Sequence, residues 1–289
     1  MPWSQLEFTI RANDLARVEA LLALAGADAV TLGDAANAPL LEPAPGTTPV
    51  WPTITIQALF SSISAARTAA EAIPVEALVD GECACVELSD TDWIEGLQQQ
   101  PVKLAIGKRL ILLSVEEEAP SDRISVRLRM GLAFGTGAHP TTQLCLEWLD
   151  SHVTEATSII DYGCGSGVLA IAALRLGAPR AWAVDIERQA FDATRANASV
   201  NDVSNHIWIG EPAKLPDIRA NILVANILAG TIEQLSRRFQ ELVAPGGHLL
   251  LSGILDEQAD DVQLAFSDSF GSFEKKQLDG WVALSASKR

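Results

Sequence analysis

The chain has 289 residues, 48% hydrophobic and 20% charged, which is ample apolar content for a packed core and excludes an intrinsically disordered chain. That length exceeds one average domain and suits two. The formal net charge of −16 repels polyanions, so direct nucleic-acid binding is not expected.

Residues 6–10 (L-E-F-T-I) alternate apolar and polar side chains, as a half-buried strand does. Asn13 or Asp14 then caps an apolar stripe at Leu15, Val18, Leu21, Leu22 and Ala25, a predicted helix ending at Gly26. A short strand over 29–32 leads into a Pro-, Gly- and Ala-rich loop over 33–52. Residues 53–59 form a β-branched run, Ser61 or Ser62 opens a second helix to about Ile73, and 82–88 is a last strand. This βαββαβ order predicts an α+β, ferredoxin-like domain over residues 1–90, with helices on one face of its sheet. Residues 90–100 read as a polar helix and linker, and apolar runs follow at 102–106 and 109–115. After an acidic, Pro-containing turn over 116–122, residues 124–130 alternate again.

Beyond Thr141 the pattern changes. Helices over 142–149, 168–176, 187–197 and 230–242 alternate with strands over 158–160, 181–184, 206–209, 222–225 and 247–252. The alternation predicts an α/β, Rossmann-like doubly wound sheet in residues 125–289. It closes differently, with apolar runs over 273–278 and 281–285 flanking Asp279-Gly280, the signal of an antiparallel hairpin. The domains are therefore expected to be 1–90, a linker over 91–100, and 101–289.

The cysteines Cys83, Cys85, Cys145 and Cys164 form no C-x-x-C pair, so neither structural zinc nor a disulfide is expected. The apolar runs at 110–113 and 170–174 fall far short of the roughly 20 residues of a membrane span. Residues 1–30 carry Glu7, Asp14 and Glu19 and lack the pattern of a secretory leader. A cytoplasmic protein is expected.

The strongest chemical signal is D-Y-G-C-G-S-G, residues 161–167, between a predicted strand and helix. Gly163, Gly165 and Gly167 permit a sharp turn and close approach to a ligand. A dinucleotide fingerprint started at Gly163 requires Gly or Ala at 168, where this chain has Val168. With Asp161 at the strand end, a pyrophosphate fits poorly and a ligand with a cationic end fits better. Asp185 ends the next strand, 24 residues after Asp161, near the offset at which a carboxylate meets ribose hydroxyls. Asn226 follows the strand over 222–225, where substrate sites of open α/β sheets lie. Its side-chain carbonyl, or the backbone carbonyls of Ile227 or Leu228, can accept the hydrogens of an amine.

These motifs resemble the class I S-adenosylmethionine-dependent methyltransferases. G-L-A-F-G-T-G-A-H-P-T-T at 131–142 and V-A-N-I-L-A-G at 224–230 narrow the resemblance to the PrmA family, which methylates the eleventh protein of the large ribosomal subunit. It covers most of the chain and is most specific over 131–253. The resemblance implies that Thr141, Gly163, Asp185 and Asn226 bind S-adenosylmethionine. It also implies that Phe134, Gly135, Thr136 and Gly137 belong to a loop folding over the methyl donor. The implied products are methylated lysine side-chain and N-terminal amines of a basic ribosomal protein, recognised by the first domain. A monomer is expected. Residues 1–120 carry 17 acidic and 6 basic side chains, a balance that suits a basic partner. Many amino-group methyltransferases carry N-P-P-Y where this chain has Asn226-Ile227-Leu228. Thr141 or Thr142 is expected to cap the following helix, with His139 shaping the helix end. Glu211 is a weaker candidate for an adenine contact.

Overall fold

A computed structural model describes residues 3–35, 50–88, 103–129, 137 and 139–289. The chain divides into two units, Met1–Gln99 and Gln100–Arg289. The expected linker helix over 91–100 lies outside the described residues.

In the first unit the L-E-F-T-I alternation extends over all of β1 (Trp3–Arg11), where Ser4, Leu6, Phe8 and Ile10 face inward. Helix α1 (Leu15–Leu24) and strand β2 (Ala29–Asp34) follow, the strand running two residues into the expected loop. Then come β3 (Thr53–Phe60), α2 (Ile63–Ala72) and β4 (Ala84–Leu88). The sheet order is β2-β3-β1-β4 with every pairing antiparallel, the split βαβ arrangement. Inward residues of β1 and β3 meet Val18 and Leu22 of α1 and Ala66 and Ala69 of α2 in one core. Ser62, of the two serines considered, caps α2 by accepting from Ala65 N–H. Asp14 precedes α1 but its side chain makes no capping bond.

The second unit opens with a three-stranded sheet, β5 (Lys103–Ile106), β6 (Leu110–Ser114) and β7 (Ile124–Leu128). The doubly wound sheet therefore does not begin at 125, as the alternation suggested. Residues 124–128 pair with β6, and period-2 patterning does not name a strand's partner.

The main sheet is built from β8 (Ile159–Tyr162), β9 (Ala181–Val184), β10 (Ile207–Gly210), β11 (Ala220–Asn226), β12 (Val243–Leu255), β13 (Glu274–Leu278) and β14 (Trp281–Ser287). Its order is β10-β9-β8-β11-β12-β14-β13, parallel from β10 to β12 with β14 antiparallel to both neighbours. Between β8 and β11 the strand order reverses, the place where open α/β sheets bind ligands. The connecting helices are α3 (Pro140–His152), α4 (Val168–Arg175), α5 (Arg188–Val200), α6 (Ala229–Gln234), α7 (Ser236–Leu242) and α8 (Ala259–Phe266). The predicted helix over 230–242 is two helices meeting at Leu235, and α8 was not anticipated. One core packs α3 and α4 against the sheet; a second packs Phe239, Phe266 and Phe270 on other strand side chains. The closing hairpin turns through Asp279 (φ 50°) and Gly280 (φ 81°), the two positive φ values of a type I′ turn.

Candidate active site

The site forms where β8 and β11 end. Asp161 is the third residue of β8 and is 1% exposed. Its Oδ2 accepts from Ala170 N–H in α4 (3.0 Å), whereas Oδ1 is buried with no hydrogen-bond partner among the described residues. Burial pushes this carboxyl up to about 7, the Ala170 bond opposes that, and the nearby Asp185 raises it further.

The chain then turns through the glycine loop. Gly163 has φ +81°, and a Cβ there would meet Ile227 Cγ2 at 2.2 Å. No L side chain fits, so the loop lies tight against the end of β11. Gly163 and Cys164 N–H both reach Val184 O, at 2.7 and 3.0 Å, fastening the loop to β9.

Asp185 follows β9 directly. Its Oδ2 accepts from Gly165 N–H (2.9 Å), and Oδ1 accepts from Ile186 and Glu187 N–H (2.7 and 3.0 Å). The carboxylate thus brackets the glycine loop against the entry to α5. A carboxylate has about four acceptor sites, so one remains after these three bonds.

Asn226 is the last residue of β11, and its Nδ2 donates to Thr142 Oγ1 (3.3 Å). Beside it, Leu228 O accepts from Ile232 N–H (3.1 Å), and a Cβ on Gly253 would come within 2.3 Å of Ile227 O, so only glycine fits against that peptide. With Nδ2 given to Thr142, the Asn226 amide oxygen is an acceptor at this strand end, beside the Ile227 and Leu228 carbonyls.

Helix α3 begins at Pro140, two residues earlier than expected, and neither threonine caps it. His139 is the N-cap: its Nδ1 lies 2.7 Å from Thr141 Oγ1 and accepts from Thr141 N–H (3.4 Å). The Pro140 ring at the first helical position fixes this start. Thr141 is thus turned to His139, while Thr142, one residue on, meets Asn226. The His139 ring also lies edge-on to Trp281 (centroids 5.1 Å), and burial lowers its pKa.

Other expected positions scatter. Gly137 is buried, and a Cβ there would meet Leu112 Cδ1 at 2.2 Å; Phe134, Gly135 and Thr136 lie outside the described residues. Glu211 pairs with Lys214 (2.9 Å). Trp182 and Trp208 pack on the second core. Among the described residues no three His, Cys, Asp or Glu side chains are placed to hold a metal. The described helices include none long and apolar enough to cross a membrane.

Sequence reasoning missed Thr194, Asn197 and Asn201, which are 0%, 2% and 4% exposed on α5 and the residue after it. Their signal was present: polar residues at i, i+3 and i+7, on a helix face that periodicity assigns to the core.

A seven-stranded sheet with a reversed last pair, a glycine turn after the strand at its switch point, and carboxylates at adjacent strand ends define a class I methyltransferase fold. Comparison with known proteins agrees. The family model described as "Ribosomal protein L11 methyltransferase (PrmA)" matches residues 2–289. A protein of Marinobacter nauticus named ribosomal protein L11 methyltransferase is 42% identical, the match covering 100% of this chain and 99% of that protein. A namesake from Shewanella sp. (strain ANA-3) is 37% identical over 100% of both. The crystal structure of a ribosomal protein L11 methylase from Lactobacillus delbrueckii subsp. bulgaricus superposes with a TM-score of 0.60 and 30% identity, covering 65% of this chain and 99% of that one. The chain belongs to the ribosomal protein L11 methyltransferase (PrmA) family, and it is an enzyme.

Proposed function

We propose that the chain transfers methyl groups from S-adenosylmethionine to lysine side-chain and N-terminal amines of the eleventh protein of the large ribosomal subunit. The observation that carries the reading is the constellation of Asp161, the Gly163–Gly167 turn, Asp185 and Asn226 at neighbouring strand ends in a member of this family.

The residues present fit this methyl donor. Its sulfonium and amino group are cationic, and the unpartnered Oδ1 of Asp161 is an acceptor in want of such a partner. The glycine turn brings bare backbone to the strand end, where no side chain intervenes, and the remaining acceptor site of Asp185 suits a ribose hydroxyl. Gly163, Gly165, Asp161 and Asp185 are the residues that would hold it, with Asn226 and the stretch Phe134, Gly135, Thr136 and Gly137. Thr141 joins them, beside Thr142, whose hydroxyl meets Asn226. The donor supplies a methyl group activated by positive charge on sulfur.

The chain's own task is positioning, which is worth roughly 7–11 kcal/mol when the reacting atoms are well aligned. A lysine amine reacts only when neutral, and its ordinary pKa is about 10.4. Entry into a partly desolvated strand-end site favours the neutral form. Asn226, with its Nδ2 committed to Thr142, offers Oδ1 to the amine hydrogens and thereby directs the nitrogen lone pair.

The first unit, expected over residues 1–90 and joined by a linker over 91–100, is the protein-recognition part, and residues 101–289 are catalytic. The excess of acid in residues 1–120 suits a basic partner. The enzyme works in the cytoplasm as a monomer and makes no direct contact with nucleic acid. Intact-protein mass spectrometry tests the reading. With S-adenosylmethionine and unmethylated substrate protein, mass should rise in single-methylene steps located on amines. An unchanged substrate mass, with the donor bound, would remove the proposed substrate.

A further inference from the structure

Helix α5 carries a buried polar stripe where an apolar one is the rule. Thr194 Oγ1 donates to Gly165 O (3.0 Å). Asn197 Nδ2 donates to Ser166 O (2.9 Å), and its Oδ1 accepts from Arg129 N–H (2.9 Å). Asn201 both accepts from Arg127 N–H and donates to Arg127 O (2.8 and 2.7 Å). A Cβ on Gly167 would sit 2.6 Å from Thr194 Cγ2, so helix and loop touch without a gap. A stripe of leucines would bury the same helix at no polar cost. These side chains are spent instead on two consecutive carbonyls of the glycine turn and on the strand end just before residues 130–136.

The consequence is geometric. The peptide is planar and trans, so holding a carbonyl fixes the opposite direction of the following N–H. Thr194 and Asn197 set the 165–166 and 166–167 peptide planes from behind, while Asp185 holds Gly165 N–H from β9. We propose that Thr194 and Asn197 are positioning residues that preset the glycine turn for the methyl donor, Asn197 also tying that turn to the strand leading into the 131–137 motif. This rests on the reading that residues 163–167 hold the donor.

Thr194→Val keeps the side-chain shape and removes the hydroxyl; Thr194→Ser keeps the hydroxyl. Calorimetric binding of S-adenosylmethionine to the full chain should weaken about tenfold in Thr194→Val and in Asn197→Ala, and stay near wild type in Thr194→Ser. The KM for protein substrate at saturating donor should not change. Thr194→Val that keeps the wild-type circular dichroism spectrum and wild-type donor affinity would overturn the inference. So would Thr194→Ser as weak as Thr194→Val, because packing alone would then explain the loss. If Thr194→Val fails to fold, the Ser variant against Asn197→Ala decides in the same way. A wild-type chain that does not bind S-adenosylmethionine at all removes the reading of the turn itself, a result distinct from both.

Discussion

At the scale of single residues, Asp161 ties the site to pH. Its carboxyl is pushed up to about 7 in the fold, against about 3.9 when unfolded. The folded chain therefore binds more protons than the unfolded chain between roughly pH 4 and 7, and this group's contribution to stability falls as pH rises across that window. A cationic donor prefers the ionised carboxylate, so donor affinity should move oppositely and tighten as pH rises through about 7. Asp161→Asn should flatten both dependences, with denaturant unfolding reading the first and calorimetry the second. An Asn variant that retained the wild-type pH profile of donor binding would clear Asp161 of that role. Asn226 predicts a different split. Asn226→Ala removes the amide that bonds Thr142 and the acceptor proposed for the amine, so kcat should fall by a factor of about 10²–10³, the range of one lost electrostatic contact in a site. Donor affinity should fall much less; the reverse pattern would make Asn226 purely a donor contact.

At the scale of elements, the site depends on how the α3 helix is anchored. Asp150, 6% exposed near the end of α3, accepts from Lys108 and Arg109 N–H in the β5–β6 turn and pairs with the Arg109 guanidinium. A Cβ at Gly107 would lie 2.5 Å from its Oδ2, so turn and carboxylate are in direct contact. This clamp joins the three-stranded sheet to the helix whose other end presents Thr142. Asp150→Ala leaves the Lys108 and Arg109 N–H donors short of a partner, at about 1–3 kcal/mol for each unsatisfied group, while the Arg109 guanidinium keeps the carbonyls of residues 150 and 153. Chemical denaturation should show a loss of about 2–4 kcal/mol, and a variant as stable as wild type would mean the turn finds other partners.

At the scale of the whole molecule, charge separates the proposed tasks. Residues 1–120 hold a net charge of −11 and residues 121–289 a net charge of −5. Attraction between an acidic recognition unit and a basic substrate is screened over about 10 Å at 0.1 M salt. The KM for the protein substrate should therefore rise with ionic strength while donor affinity stays nearly constant. If the two changed together, recognition would not be electrostatic. A fragment of residues 101–289 should bind donor yet methylate the protein poorly; undiminished efficiency would remove the recognition role from the first unit.

Some of this was written in the chain. Period-2 and period-3.6 patterns located most strands and helices of both units, because burial of one face forces those spacings. The D-x-G-x-G-x-G turn, Asp185 and Asn226 were legible because each marks a strand end, where backbone rather than packing dictates residue type. The split at Leu235, helix α8 and the partner of β7 were not legible, since local pattern does not name tertiary neighbours. That His139 caps α3, with Thr141 turned to it and Thr142 to Asn226, rests on a one-residue phase in a helix start that composition cannot resolve. Thr194, Asn197 and Asn201 show the same limit from the other side. Their spacing was visible from the start, but only folding brought them against Gly165, Ser166, Arg129 and Arg127. The local residue series thus determined the elements and the chemical groups, and tertiary packing decided which of those groups meet, because contact depends on distances that the chain order does not contain.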